Sequence, residues 1–234
     1  MGPKRNTLLD DTLAVLMAGG RGERLYPLTR DRTKGAVPFA GVYRLIDFTL
    51  SNCLHSGVRR IAVLPQYKFA SLERHLRLGW NMFRPELGES LSLLAPQQRI
   101  NNEWYEGTAD AVYHNIYTLR KERPQWTLVL SSDHIYKMDY RPLLEAHANH
   151  SGNVTIACLS VRIEEAHRFG IMDVSEEGRI SAFKEKPKFP RKIPGSDGHA
   201  LASLGVYVFD TRTLIEVLSQ DAGDPVSTHD FGRD

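Results

Sequence analysis

The chain has 234 residues, enough to bury one substantial core. Its 30 basic and 28 acidic residues leave a formal charge of +2, which excludes the strong positive field of a nucleic-acid binder, so basic residues matter only locally. Cys53 and Cys158 are the only cysteines, and the apolar run near the N-terminus is too short for a signal h-region or a membrane span. A reducing cytoplasm with two free thiols is therefore expected.

Residues 1–12 read as a poorly ordered lead-in. Leu13–Met17, a short aliphatic run bounded by glycines, predicts a buried strand. It breaks at Gly19, Gly20, Arg21 and Gly22, where the missing Cβ atoms leave backbone N–H groups free to converge on an anion. Arg21, Arg24 and Lys34 supply counter-charge, so the loop reads as a phosphate cradle. It is not the GxGxxG fingerprint, which would need glycine where Leu25 stands, and GxxxxGK[ST] does not occur. Taken alone, such a loop is equally an ordinary glycine-rich turn.

Ile46, Leu50, Cys53 and Leu54 at helical spacing predict an amphipathic helix over Tyr43–Ser56 with Gly57 at its C′ position. Arg60–Pro65 predicts a second strand, which makes a β-loop-helix-β unit with a right-handed parallel crossover. Gln66–Leu78 reads as another helix, followed by a short strand at Leu91–Leu94. Thr108 is the expected N-cap of a helix whose inward stripe is Ala109, Val112, Ile116 and Leu119, stopped by Pro124. A helix start beside Trp104 and Tyr105 suits a nucleobase with phosphates nearby, although an aromatic pair is as readily core packing.

Thr127–Ser131 predicts a third buried strand that runs into Asp133. Ligands of open α/β sheets sit outside the carboxyl ends of the strands, and a carboxylate there can hold a divalent cation between phosphates. Asp139 fits as the cap of a helix running to His150, with Arg141 and Pro142 at its start. Asn153–Val161 is a further strand. Gly170–Val174, Arg179–Lys184 and Ser203–Phe209 then predict a β-rich subregion laid over the sheet edge, with a loop over Lys186–Gly198 and a last helix over Thr211–Ser219. Glu185 and Lys186 put an acid beside a base at a strand end, the first suited to sugar hydroxyls and the second to a phosphate. His147 and His150 read as a solvated helix face, since no HExxH or cysteine pair accompanies them. The fold class is α/β.

Taken together, LMAGGRGERLYPLT, RLIDFTLSNCLHSGVRRIAVLPQY, WYEGTADAV, DHIYKMDY, FKEKP, LASLGVYVF and HDFG resemble the bacterial glucose-1-phosphate adenylyltransferases, within the sugar-1-phosphate nucleotidyltransferases. The resemblance implies a Rossmann-like fold with a mostly parallel central sheet and a β-rich sugar-binding subregion. It implies transfer of AMP from ATP to α-D-glucose 1-phosphate with Mg²⁺, giving ADP-glucose and pyrophosphate for glycogen synthesis under allosteric control. Gly19, Gly20, Arg21, Gly22, Arg24 and Lys34 would hold the ATP phosphates, and Gln66, Trp104, Tyr105, Gly107 and Thr108 the adenosine. Tyr105, Gly170, Glu185, Lys186, Ser203 and Tyr207 would take glucose 1-phosphate, and Asp133 with Asp230 the metal. Arg21, Lys34, Asp133 and Lys186 would be the catalytic set.

Ser132 departs from the family's usual glycine, Gly35 from its usual proline, which should loosen that turn, and Asp31 from a basic residue that some members use toward activators. The resemblance expects a catalytic domain over 13–234 that stops short of its usual end, and a homotetramer-forming left-handed β-helix beyond it that is absent here. No nucleic-acid or membrane partner is expected. A non-catalytic regulatory or truncated subunit that retains nucleotide binding is the alternative, and a relative using another nucleotide or sugar phosphate is a third reading.

Overall fold

The computed structural model of the protein describes residues 7–20, 22–66, 68–96 and 105–233. A one-turn helix α1 (Thr7–Asp10) precedes β1 (Thr12–Ala18). The expected lead-in is thus ordered from residue 7: Leu8 and Leu9 pack on the core, and Thr12 Oγ1 donates to the Leu8 carbonyl at 2.7 Å. Next come the hairpin strands β2 (Pro38–Phe39) and β3 (Tyr43–Arg44), α2 (Leu45–Ser56), β4 (Arg60–Pro65), α3 (Ala70–Gly79) and β5 (Ser90–Leu93). Helices α4 (Thr108–Tyr113) and α5 (Ile116–Glu122) lead to β6 (Trp126–Ser131), α6 (Arg141–Ala148) and β7 (Val154–Arg162). The chain continues through β8 (Gly170–Val174), β9 (Ile180–Glu185), β10 (His199–Asp210) and α7 (Thr211–Asp221).

One eight-stranded sheet has the order β5-β4-β1-β6-β10-β8-β9, with β7 also paired to β10. Its central block β5-β4-β1-β6 is parallel, as a β-loop-helix-β reading requires, and the strands beyond β6 pair antiparallel. The β-rich segment does not lie over the edge. β10 carries it into the sheet, pairing with β8 through Leu201 and Ala202 and with β6 through Tyr207–Asp210. The change of partner coincides with a register shift between Ser203 and Tyr207, where Gly205 has φ +67°, a left-handed value that favours glycine.

The core has two faces because successive strand residues point to opposite sides. Leu16, Val63, Leu128 and Val208 face α2, α3 and α6 through Ile46, Leu50, Leu72 and Leu144. Leu13, Val15, Leu64 and Val129 face α4, α5 and α7 through Val112, Leu119, Leu214 and Leu218. β1 is covered on both sides, which is why its sequence is continuously apolar from Leu13 to Ala18.

Two predicted helices change shape. The helix expected from Gln66 begins at Ala70, leaving Gln66 free for the site. The single helix expected over 108–122 is two, with His114 and Asn115 between them. Asn115 Nδ2 donates to the Ala111 carbonyl at 2.9 Å and to the Tyr105 hydroxyl at 3.1 Å, the local side-chain competition by which Asn interrupts helices. His147 is also corrected: it is 3% exposed, with Nδ1 2.8 Å from Thr155 Oγ1, and belongs to the α6–β7 packing.

Candidate active site

The parallel register brings three strand ends to one edge. Ala18 pairs with Pro65 and Met17 with Ser131, so the loops that follow β1, β4 and β6 leave side by side. Between them lies a cavity of about 350 Å³ lined by Gly19, Gly20, Gln66, Tyr105, Gly107, Thr108, Asp133 and Asp230, with Met17, Leu64, Glu106, Ala111 and Ser131. Eight residues picked from the sequence therefore share one cavity.

Gln66 joins two of its walls. Its Oε1 accepts from Gly20 N at 3.1 Å and its Nε2 donates to the Tyr105 carbonyl at 3.0 Å. A Cβ on Gly19 would stand 3.3 Å from that same Oε1. Gly22 has φ +62°, and a Cβ there would meet Thr29 Cγ2 at 2.7 Å, so this glycine is required both by conformation and by space. Tyr105 is 7% exposed, its ring edge-on to His114, and it meets the cavity as a fixed wall. Arg24 is exposed on the 3-10 turn Glu23–Leu25. Arg21 and Trp104 lie outside the described residues.

Asp133 follows β6. Lys34 donates to its Oδ2, Ser131 Oγ donates to its Oδ1 at 2.5 Å, and His134 Nε2 lies 3.5 Å away. Burial pushes this carboxyl up, but the Lys34 and Ser131 hydrogen bonds and the His134 and Lys34 charges outweigh it and hold the group below its ordinary range. The loop is fixed from behind by a polar stripe on α2. Thr49 Oγ1 donates to the Ser131 carbonyl at 3.0 Å, Asn52 bonds both the Tyr136 carbonyl and Met138 N, and Ser56 Oγ accepts from Tyr140 N at 2.8 Å. All three are buried, so a helix that reads as simply amphipathic carries a buried polar stripe at i, i+3 and i+7. That spacing is the signal the sequence held. Asp47, on the same helix and 7% exposed, accepts from Arg44 N at 2.8 Å, from His75 Nε2 at 2.7 Å and from Trp80 Nε1 at 2.8 Å. The Arg44 guanidinium in turn donates to the carbonyl of Ala36, two residues from Lys34.

Gly35 is fixed by space rather than by conformation. It is buried in the 3-10 turn Lys34–Ala36, and a Cβ on it would stand 2.7 Å from Ser132 Oγ.

The start of α4 departs from expectation. Thr108 does not cap it. Instead Thr108 Oγ1 donates to Asp230 Oδ2 and accepts from Phe231 N, both at 3.0 Å. The N–H groups of Ala109 and Asp110, at 2.8 and 3.3 Å, donate to the His229 carbonyl. The helix end expected to face phosphates thus holds the HDFG segment, and that segment delivers Asp230 into the cavity. Phe231 stacks on Tyr207 with ring centroids 5.9 Å apart.

The residues assigned to a sugar phosphate lie on the antiparallel side. Gly170 pairs with Glu185, and a Cβ on Gly170 would meet Phe183 at 2.3 Å and Glu185 Oε2 at 3.0 Å. Lys186, with φ +46°, bonds Glu185 Oε1. Burial pushes the Tyr207 phenol up; a Ser203 hydrogen bond lowers it, and the Asp230 and Glu185 charges raise it further.

A family model described as Nucleotidyl transferase matches residues 13–234. The chain belongs to that family. Its mostly parallel central sheet flanked by helices is consistent with a nucleotidyltransferase fold, and enzymes of this family generally use divalent metal ions. The domain is 51% identical over 226 residues to glucose-1-phosphate adenylyltransferase 2 of Vibrio vulnificus (strain CMCP6), covering 97% of this chain and 56% of that protein. It is 53% identical over 226 residues to the protein of the same name from Vibrio cholerae serotype O1, with the same coverage. It is 50% identical over 227 residues to glucose-1-phosphate adenylyltransferase of Rhodopirellula baltica, covering 97% of this chain and 51% of that one. The chain spans about half the length of the curated relatives it matches.

The carboxylates suit a hard divalent cation. The donors are oxygens only, and among the described residues no cluster of three or more His, Cys, Asp or Glu competes with them. Magnesium takes one or two carboxylates and completes its shell with water and phosphate oxygens. Asp133 and Asp230 would hold it. Among the described residues no helix is long and apolar enough to cross a membrane. Both cysteines are free thiols, and burial pushes both upward, Cys158 to about 11, so neither is a ready nucleophile.

Proposed function

We propose that this nucleotidyltransferase domain transfers AMP from ATP to α-D-glucose 1-phosphate, releasing pyrophosphate and forming ADP-glucose for glycogen synthesis. The observation that carries the reading is the convergence of Gly19, Gly20, Gln66, Gly107, Asp133 and Asp230 on one cavity. About 50% identity to relatives named for this activity supports it.

An oxygen of the sugar phosphate attacks the α-phosphorus of ATP; that P–O bond forms, the bond to the β-phosphate oxygen breaks, and the electron pair leaves with pyrophosphate. The attacking oxygen is already ionised at neutral pH, so the chain need supply no general base. Its task is to align the acceptor phosphate with the triphosphate and offset their charge. The amides of the Gly19–Gly22 loop cradle the triphosphate, with Arg21, Arg24 and Lys34 as counter-charge, while Gln66, Trp104, Tyr105, Gly107 and Thr108 enclose the adenosine. Lys186 neutralises the acceptor phosphate, and Glu185, Gly170, Ser203 and Tyr207 position its sugar. Asp133 and Asp230 would hold Mg²⁺, which when bound would supply charge neutralisation to the phosphates. Removing one such electrostatic contact typically costs about 10²- to 10³-fold in turnover. On the same reading the enzyme works in the cytoplasm, within an allosterically controlled homotetramer.

The test is pyrophosphate release from ATP and glucose 1-phosphate with Mg²⁺, beside Asp133→Asn and a control without acceptor. Release that needs both substrates and vanishes in the variant is expected. Preference for dTTP or UTP overturns the nucleotide assignment. Absence of release with ATP binding retained by calorimetry moves the chain to a regulatory subunit.

A further inference from the structure

Lys34 and Asp133 lie 99 positions apart and form an ion pair at the cavity. The residues beside them also touch. Gly35 is buried, and a Cβ on it would stand 2.7 Å from Ser132 Oγ, 3.2 Å from Ser132 Cβ and 3.6 Å from the Ser132 carbonyl oxygen. Ordinary carbon contacts begin at about 3.5 Å. The backbone at Gly35 is outside the left-handed region, so its conformation would accept any residue. What excludes a side chain there is Ser132.

Neither partner is free to retreat. Ser132 is 2% exposed, and its N–H donates to the Met17 carbonyl of β1 at 3.1 Å. The turn carrying Gly35 is closed by Ala36 N to the Thr33 carbonyl at 3.0 Å and Val37 N to the Lys34 carbonyl at 3.1 Å, and Arg44 grips the Ala36 carbonyl from outside. Rotating Ser132 would relieve the clash at Oγ but leave the one at Cβ. A methyl group at 35 must therefore push the two backbones apart, and Lys34 from Asp133 with them.

We infer that Gly35 and Ser132 are a matched pair of positioning residues: the missing side chain at 35 receives the hydroxymethyl group at 132, and their contact sets the reach of Lys34 to Asp133. The inference rests on the reading that Lys34 and Asp133 serve nucleotidyl transfer.

The test is a four-member cycle of wild type, Gly35→Ala, Ser132→Gly and the double variant, with pyrophosphate release for kcat and KM and 13C-methyl NMR of reductively methylated lysine for the Lys34 signal. A displacement of under an ångström to an ångström costs up to about 100-fold, so Gly35→Ala is expected to lower kcat about 10- to 100-fold while KM for ATP moves less than about threefold. Ser132→Gly alone opens a void and lowers kcat about two- to fivefold, and the double variant returns to within about fivefold of wild type, a non-additive outcome that marks direct coupling. The Lys34 signal shifts in Gly35→Ala and returns in the double variant. Wild-type kcat with an unmoved signal in Gly35→Ala overturns the pairing, as does a double variant no better than that single one. If Gly35→Ala alone does not fold, the double variant must; its failure to fold also overturns the pairing. A wild-type protein without transfer activity refutes the functional reading, and the NMR cycle then decides the pairing by itself.

Discussion

Gly107→Ala asks whether the HDFG segment is a necessary wall of the site. Gly107 has φ −145° and ψ −176°, extended backbone that alanine adopts freely, so any effect must come from collision. The new Cβ would stand 2.0 Å from the His229 carbonyl oxygen, 2.5 Å from its carbon and 2.6 Å from the Thr228 carbonyl oxygen. These are backbone atoms, so the segment itself must move. At stake are the bonds from Ala109 and Asp110 to His229, the pair linking Thr108 with Asp230 and Phe231, and the Phe231 contacts with Tyr207 and Phe209. At roughly 1 kcal/mol for each of the four hydrogen bonds and a similar amount for each of the two ring pairs, undocking removes on the order of 6 kcal/mol of local stability. Of this segment only Phe231 packs against a core face, and only at its margin, so the loss should appear as local opening. Hydrogen exchange by mass spectrometry should show protection lost over 228–232. The melting temperature should fall by less than about 5 °C, and pyrophosphate release by about 100-fold or more as Asp230 leaves the cavity. Wild-type protection over 228–232 in the variant would refute the reasoning, because the collision would then have been absorbed elsewhere.

Asp47→Ala leaves Arg44 N, His75 and Trp80 without their shared acceptor; removing one partner from a buried charged network costs about 3–5 kcal/mol, so calorimetry should show a melting temperature roughly 6–20 °C lower. His147 gives a pH prediction. Burial lowers its pKa from the ordinary 6.5, with Asp210 raising it and His150 lowering it, so between the folded value and 6.5 the unfolded chain binds the extra proton. Stability therefore rises with pH through that window and is lost as pH falls through it; urea titrations of His147→Gln should show a flatter slope there, and an unchanged slope would place the proton elsewhere. Lys186→Ala should raise KM for glucose 1-phosphate about tenfold or more while moving KM for ATP little, and steady-state kinetics with each substrate varied would read it.

The parallel half of the fold was legible because each of its signals is local. Leu13–Met17, Arg60–Pro65 and Thr127–Ser131 are short apolar runs ended by Gly, Gln or Asp, and all three became central strands whose carboxyl ends meet. Once they are parallel, Gly19, Gln66 and Asp133 must lie together, and the cavity follows. What the sequence could not show is how distant segments compete for the same groups. Thr108 has every local mark of an N-cap, yet its hydroxyl serves Asp230, 122 positions away. The free amides of α4 are a generic anion site only while nothing in the chain reaches them, and the His229 carbonyl does.

The same competition explains the helix after β3. Thr49, Asn52 and Ser56 read as the polar side of an amphipathic helix, because exposure is the usual fate of such residues. Their partners, the carbonyls of Ser131 and Tyr136 and the amides of Met138 and Tyr140, belong to the loop that carries Asp133. A loop that holds a functional carboxylate leaves its own backbone groups unpaired by any ladder, and buried backbone groups must be bonded. The side chains of α2 supply those bonds, which makes this helix a scaffold for the site as well as a packing element. A buried polar stripe facing the carboxyl end of a central strand is thus a signature of loop positioning. It becomes readable once the neighbouring strand has been assigned and its loop is seen to need partners.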